Sequence, residues 1–302
     1  MFRRLLCLVL FIAAVHVPRR VRAQACCAGA STFGAARLDA TESGAVGLSM
    51  RGSAVAGSFD PAGRYRSAAA GSKEAELEGA VVAMRRLGAD TQLAVTVPFV
   101  ATYRAVAGLS DAGSGLGDLQ LALRWDGLAP GASAVVPGIA WGLSTTLPTG
   151  VAPERARHPL AADATGLGAA TAAASLTLEQ PFERLMLQAS AGGRLAASRW
   201  VDGHEVRAGR QQFLSVSVGW AFRSGGGAAV ALQHRADAAS SFDGAPVASS
   251  ERATTTVGLS GGAPLASRWR WQASALVPTG GGGNRRSLAT PTAQLLLLRT
   301  WP

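Results

Sequence analysis

"GSGLGDLQLALRWDG", residues 113–127, is the stretch whose reading decides the fold. Gly113, Gly115 and Gly117 alternate with other residues, and Asp118 comes directly after them. A glycine-rich phosphate cradle needs a strand before the glycines and a helix after them, so that the helix N-terminus meets the phosphate. Here Leu119, Leu121, Leu123 and Trp125 instead alternate with Gln120, Ala122 and Arg124, the two-residue period of a strand. No lysine succeeds the glycines, so a Walker loop is excluded. The glycines read as a flexible loop entering a strand, with Asp118 at the rim on the face of Gln120, Ala122 and Arg124.

The same alternation recurs along the chain, bounded by Gly, Pro, Asp and Ser. Twelve segments carry it, near 43–57, 73–86, 91–104, 117–126, 137–148, 166–178, 185–200, 210–223, 228–236, 251–261, 268–278 and 288–301. In "QFLSVSVGWAFR", Leu214, Val216, Val218, Trp220 and Phe222 share one face, and Phe213, Ser215, Ser217, Gly219, Ala221 and Arg223 the other. The links alternate in length, from "DPAGRYRSAAAGS" (60–72) and "TGVAPERARHPLAADAT" (149–165) to "LGAD" (87–90) and "SGGG" (224–227). An even number of antiparallel strands, with long loops at one end and tight turns at the other, predicts an all-β, up-and-down transmembrane β-barrel of about twelve strands. Lipid cannot satisfy an open sheet edge, so such a sheet must close. Ten or fourteen strands stay open, because 43–57 and 166–178 are rich in small residues and alternate weakly. A soluble twelve-strand sandwich would put polar residues outside, whereas here the candidate outer face is apolar.

The 302 residues are 48% hydrophobic and 16% charged, with 37 glycines, too apolar for a disordered chain and too glycine-rich for a helical one. Residues 1–25 read as a secretory signal peptide: Arg3 and Arg4, an apolar core over Leu5–Val15, then Ala23-Gln24-Ala25. The mature chain, 26–302, is then a single barrel domain. The leader carries five arginines and no acids, which lowers the net charge from +10 to about +5. The remaining arginines are scattered, so no nucleic-acid partner is expected. Cys26 and Cys27 open the mature chain and read as an oxidised vicinal pair, a bridge to another chain or a lipidated N-terminus. No cysteine lies beyond them, which excludes a disulfide framework.

If the N-terminus is periplasmic, odd strands begin and even strands end at that face. Trp125, Trp141, Trp220, Trp269, Trp271 and Trp301 then all fall toward it, as an interfacial aromatic belt requires, and Trp200 alone lies at the opposite rim. Glu74, Glu76 and Glu78 project to one face of their strand and should face the lumen, because charge is costly against lipid. Arg124, Arg194, Arg235, Arg252 and Arg270 are candidate lumen-lining partners for them, with Asp118 beside the rim. Two readings of these charges stand together: a filter for permeants and a salt-bridged plug of the interior. Pro98 should force a bulge in the third segment.

The mature histidines are His158, His204 and His234. None has the neighbours of a nucleophile–base pair in the sequence, so no catalytic residue is assigned. His204 and Glu205 are adjacent on an extended chain and point apart, so no metal site or cofactor is assigned either.

"GSGLGDLQLALRW", the strand exit "STTLPTG" (144–150) and the second exit "ALVPTG" (275–280) resemble the outer-membrane family named for the MetA pathway of phenol degradation. The resemblance implies a transporter-like barrel passing small, apolar or aromatic compounds across the outer membrane. The expected partners are outer-membrane lipid, the permeant and the barrel-assembly machinery. The penultimate position of Trp301, ahead of Pro302, departs from the aromatic ending usual in such barrels. The alternatives are a structural or adhesive barrel with a plugged lumen and, from another class, a lipid-modifying enzyme.

Overall fold

The computed structural model describes residues 37–223, 225–280 and 283–302. The segment 1–25 read as a signal peptide, with Cys26 and Cys27, lies outside the described residues. One sheet contains thirteen strands: β1 (Gly44–Ala54), β2 (Lys73–Arg86), β3 (Thr91–Val106), β4 (Leu109–Leu116), β5 (Leu119–Leu128), β6 (Gly138–Leu147) and β7 (Thr171–Phe182), and then β8 (Leu185–Ala196), β9 (Gln211–Ala221), β10 (Gly227–Asp237), β11 (Arg252–Ala266), β12 (Trp269–Pro278) and β13 (Thr292–Trp301). Each is antiparallel to its neighbours. β13 pairs with β1, β1 with β2 and β2 with β3, which closes the sheet into a barrel.

β4 and β5 lie end to end. β3 pairs with β4 over Phe99–Val106 and with β5 over Thr91–Thr96, so together they form one of twelve staves. All twelve alternating segments of the sequence are staves of this barrel.

Alternation decides which atoms face out. On β1, Val46, Leu48 and Met50 are exposed while Ala45 and Ser49 are buried. The pattern runs round the wall through Val81, Val97, Leu143, Val216, Val230, Leu259 and Leu295, all exposed. A continuous exposed apolar band far exceeds what a soluble monomer carries. The inner face instead buries Ser49, Gln92, Thr102, Thr177, Glu179, Ser190, Gln211 and Thr300. This inversion is the arrangement in which lipid solvates the outside and polar groups satisfy one another within.

Both ends of the described chain lie at one end of the barrel, together with the short turns; this is called the terminal end. The loop end carries the long connections. There, Gly57–Phe59, Tyr65–Ser67 and Ser287–Ala289 form one small sheet, and Arg199–Val201, His204–Arg207, Ser241–Phe242 and Ala245–Pro246 another.

Two local expectations are corrected. The glycines of residues 113–117 are not a flexible loop. β3 continues to Val106 and turns back at once through Ala107 (φ 53°) and Gly108 (φ 85°), and Gly113 and Gly115 sit within β4 opposite Thr102 and Val100. Two successive positive φ values make a tight hairpin whose twist matches its strands, and Ala-Gly is a weaker signal for it than Asn-Gly. Pro98 also causes no bulge: it pairs in unbroken register with Ala80. Its carbonyl accepts from the Gly117 N–H at 2.9 Å, so its missing donor faces the junction between β4 and β5, where the ladder is already interrupted.

Candidate functional site: the barrel lumen

Strand parity turns Glu74, Glu76 and Glu78 inward on β2. Their arginine partners are not the five singled out in the sequence. Arg51 on β1 reaches Glu78 at 2.8 Å and Glu76 at 3.4 Å, and Arg104 on β3 reaches Glu74 at 3.2 Å. Register explains the difference, since Arg51 stands directly opposite Glu78 and Arg104 opposite Glu74. Arg194, Arg235 and Arg252 lie on β8, β10 and β11, on the far side of the barrel. Opposite charges on adjacent strands pair with little loss of side-chain freedom, whereas a pair spanning a lumen must extend both chains.

Arg124 and Arg270 serve a different structure. Residues 37–42 form a strap inside the terminal end. Arg37 reaches Glu179 on β7 at 2.7 Å and Asp126 on β5 at 3.1 Å; Arg124 closes the square, at 2.8 Å from Asp126 and 3.2 Å from Glu179. Arg270 on β12 holds the Arg37 carbonyl at 2.9 Å and the Glu42 carboxylate at 3.2 Å. Arg86 on β2 donates to the carbonyls of Leu38, Asp39 and Glu42. Leu38 is 1% exposed and packs on Ala45, Val82, Met84, Ala94, Leu296 and Leu298. A segment anchored at once to β2, β5, β7 and β12 crosses the lumen.

At the loop end, the connection 148–170 folds onto the inner face of β3 and β4. The Asp118 carboxylate accepts the Gly150 N–H at 2.9 Å and the Leu167 N–H at 2.7 Å, pinning both ends of this segment. Asp118 is inward-facing, as parity requires, but it is 7% exposed and covered by the loop. Thr165 Oγ1 donates to the Leu116 carbonyl, and Arg104 Nη1 to the carbonyls of Leu160 and Ala161. The glycines make this approach possible: a Cβ at Gly113 would stand 2.5 Å from the Asp163 nitrogen, and one at Gly117 would be 3.3 Å from the Thr165 carbonyl oxygen. The stretch is a cradle after all, but for the protein's own backbone.

His158 Nδ1 lies 2.9 Å from Asp111 Oδ1 on β4. That hydrogen bond, reinforced by the nearby charge of Asp163, raises the His158 pKa above its ordinary value. His204 Nδ1 lies 2.7 Å from Asp243 in the second small sheet, against the Phe242 ring. His234 faces outward, 2.9 Å from Thr255 Oγ1. That hydroxyl also donates to the Gly283 carbonyl, and Asn284 binds the Thr255 backbone N–H rather than the imidazole.

Trp125, Trp141, Trp220 and Trp269 are between 40% and 49% exposed on the outer face near the terminal end. Trp125 and Trp141 are direct cross-strand neighbours. Trp271 and Trp301 share that face and end, and the Trp301 indole lies flat over Gly44. Trp200 is 72% exposed, beyond the opposite rim.

The residues that sequence reasoning missed are Arg37, Arg51, Arg86, Arg104, Asp126 and Glu179. Parity alone marks Arg51, Arg86, Arg104, Asp126 and Glu179 as inward; for Arg37, which precedes the first strand, no periodic signal exists.

No protein-family model matches the chain, and no curated protein matches it. Solved structures do match. The COG4313 outer membrane channel from Pseudomonas putida F1 is similar with a TM-score of 0.68 at 12% identity, over 86% of this chain and 96% of that one. The translocator domain of the autotransporter NalP from Neisseria meningitidis matches at 0.52 and 9% identity, over 87% and 90%. The β domain of the Bordetella autotransporter BrkA reaches 0.50 at 11% identity, over 85% and 100%. At these identities the likeness is one of fold, and the fold is that of outer-membrane β-barrels.

Proposed function

We propose that the protein is a passive channel of the outer membrane for small solutes, apolar or aromatic compounds among them. The observation that carries this reading is the closed wall with a continuous apolar exterior and a polar, charged interior. A purely structural barrel has no need of opposed acidic and basic inner walls. The resemblance of "GSGLGDLQLALRW" and the two Pro-Thr-Gly strand exits to the MetA-pathway family supports the same reading and its class of permeant. Lipid contacts the apolar band, the six tryptophans sit at its terminal-end interface, and the chain reaches the membrane through a cleaved signal peptide and the barrel-assembly machinery. The inner charges, Glu74, Glu76, Glu78, Arg194, Arg235 and Arg252, line the path from the loop end, while Arg124 and Arg270 hold the strap.

Planar-bilayer conductance and liposome swelling with the purified protein test the proposal. Stepwise currents and solute-dependent swelling are expected. Impermeability both of the whole protein and of a form lacking residues 37–42 would overturn it. That second arm matters because the strap favours a second reading, a barrel plugged at its terminal end. The plugged barrel predicts no current from the whole protein and current only once residues 37–42 are removed.

A further inference from the structure

The loop-end half of the lumen carries cations that the described residues do not neutralise. Asp237 at the end of β10 is fully engaged: Arg235 reaches its two oxygens at 3.1 and 3.0 Å, and Gln211 Nε2 donates to it at 2.9 Å. Arg194 on β8 stands opposite Gln211, which in turn stands opposite Asp237, so all three lie at one height of the inner wall. Arg252 stands directly opposite Asp237 in the ladder and feels its charge. Among the described residues, neither Arg194 nor Arg252 has a carboxylate partner. Three guanidinium groups thus share one carboxylate. The acidic residues of β2 lie across the barrel and are held by Arg51 and Arg104.

Beside this cluster is a cavity of about 260 Å³ that opens to the lumen, with Arg235 and Arg252 at its edge. Gln233 and Thr254 add polar groups, and Phe213 and Leu276 form an apolar wall. The volume is below the ~300–1,000 Å³ of sites for drug-sized ligands, so it suits one small molecule rather than an oligomer.

We propose that this cavity binds a small monocarboxylate, its head on Arg252 in the field of Arg194 and its apolar body against Phe213 and Leu276. A planar guanidinium takes a carboxylate through two parallel hydrogen bonds. Clustered like charges also repel one another, so an anion relieves a repulsion that a neutral solute leaves in place. This rests on the channel reading for its purpose, but binding requires only access from the loop end.

Pentanoate and 1-pentanol, which share a body and differ in the head, are titrated calorimetrically into the whole protein in lipid nanodiscs, with empty nanodiscs as the blank. Pentanoate is expected to bind at least about tenfold more tightly than pentanol, with the preference shrinking as chloride is added. In the Arg194→Gln, Arg252→Gln double variant, verified as folded by heat-modifiable migration, the preference should fall about tenfold. The Arg194→Lys, Arg252→Lys form should keep part of it. Equal affinity for the two probes, a preference insensitive to salt, or one unchanged in the folded Gln variant would overturn the proposal. If the Gln variant fails to fold, the wild-type salt series and the Lys form decide alone. Bilayer current is measured on the same preparation. Current without a pentanoate preference sinks only the carboxylate site; preference without current sinks only the channel.

Discussion

At Asp118 one carboxylate holds two backbone N–H groups from the two ends of the inward loop, Gly150 and Leu167. Hydrogen bonds to a charged group contribute about 1.5–3 kcal/mol each, so Asp118→Ala should weaken loop docking by about 3 kcal/mol. Trypsin should then cleave after Arg155 or Arg157 faster than in the wild type, at unchanged thermal stability of the barrel; an unchanged cleavage rate would count against the role. Gly113 is the counterpart on the receiving side. Gly113→Val places a branched side chain where Ala162 and Asp163 pass, so the loop should be displaced and single-channel current should rise. The alternation that places Asp118 on the inner face is visible in the sequence. Its two donors are not, since Gly150 and Leu167 lie 32 and 49 residues away in a segment without periodicity.

At the scale of the element, the loop and the strap each have a handle. His158 is bonded to Asp111 and faces the charge of Asp163, and its pKa is raised. A group with a raised pKa contributes its docking bond fully below its ordinary value, near 6.5, and loses it as pH rises through the raised value. Open-state current noise from the loop should therefore grow as pH rises above about 6.5 in the wild type and stay level in His158→Gln. A level wild-type response would remove histidine from the account. For the strap, deletion of residues 37–42 should raise conductance several-fold, and Arg37→Ala less, because Arg124 still neutralises Asp126 and Glu179. Equal conductance of deletion and wild type would show that the strap leaves the path free. Long periodic elements such as β2 were legible residue by residue from the sequence. Pro98 was not, since its tolerance depends on a neighbouring stave being interrupted at the same height.

For the whole molecule, the apolar exterior sets the energy scale. An arginine facing the middle of the hydrocarbon costs about 2–4 kcal/mol. Leu259→Arg on the outer face should lower unfolding stability in vesicles by that amount, whereas Thr256→Arg on the inner face of the same strand should change it by less than about 1 kcal/mol. Equal effects at the two positions would deny that the outer face meets lipid. The sequence by itself determined the class of fold, a count of about twelve staves and the face on which the residues of each alternating segment lie, because a two-residue period and the length of each link are local properties. Only the tertiary structure decided which charges pair, that the glycines of residues 113–117 receive an inward loop, and that Arg37–Glu42 cross the terminal end. Those outcomes depend on register across many strands and on where unpatterned segments come to rest, and no local period records either.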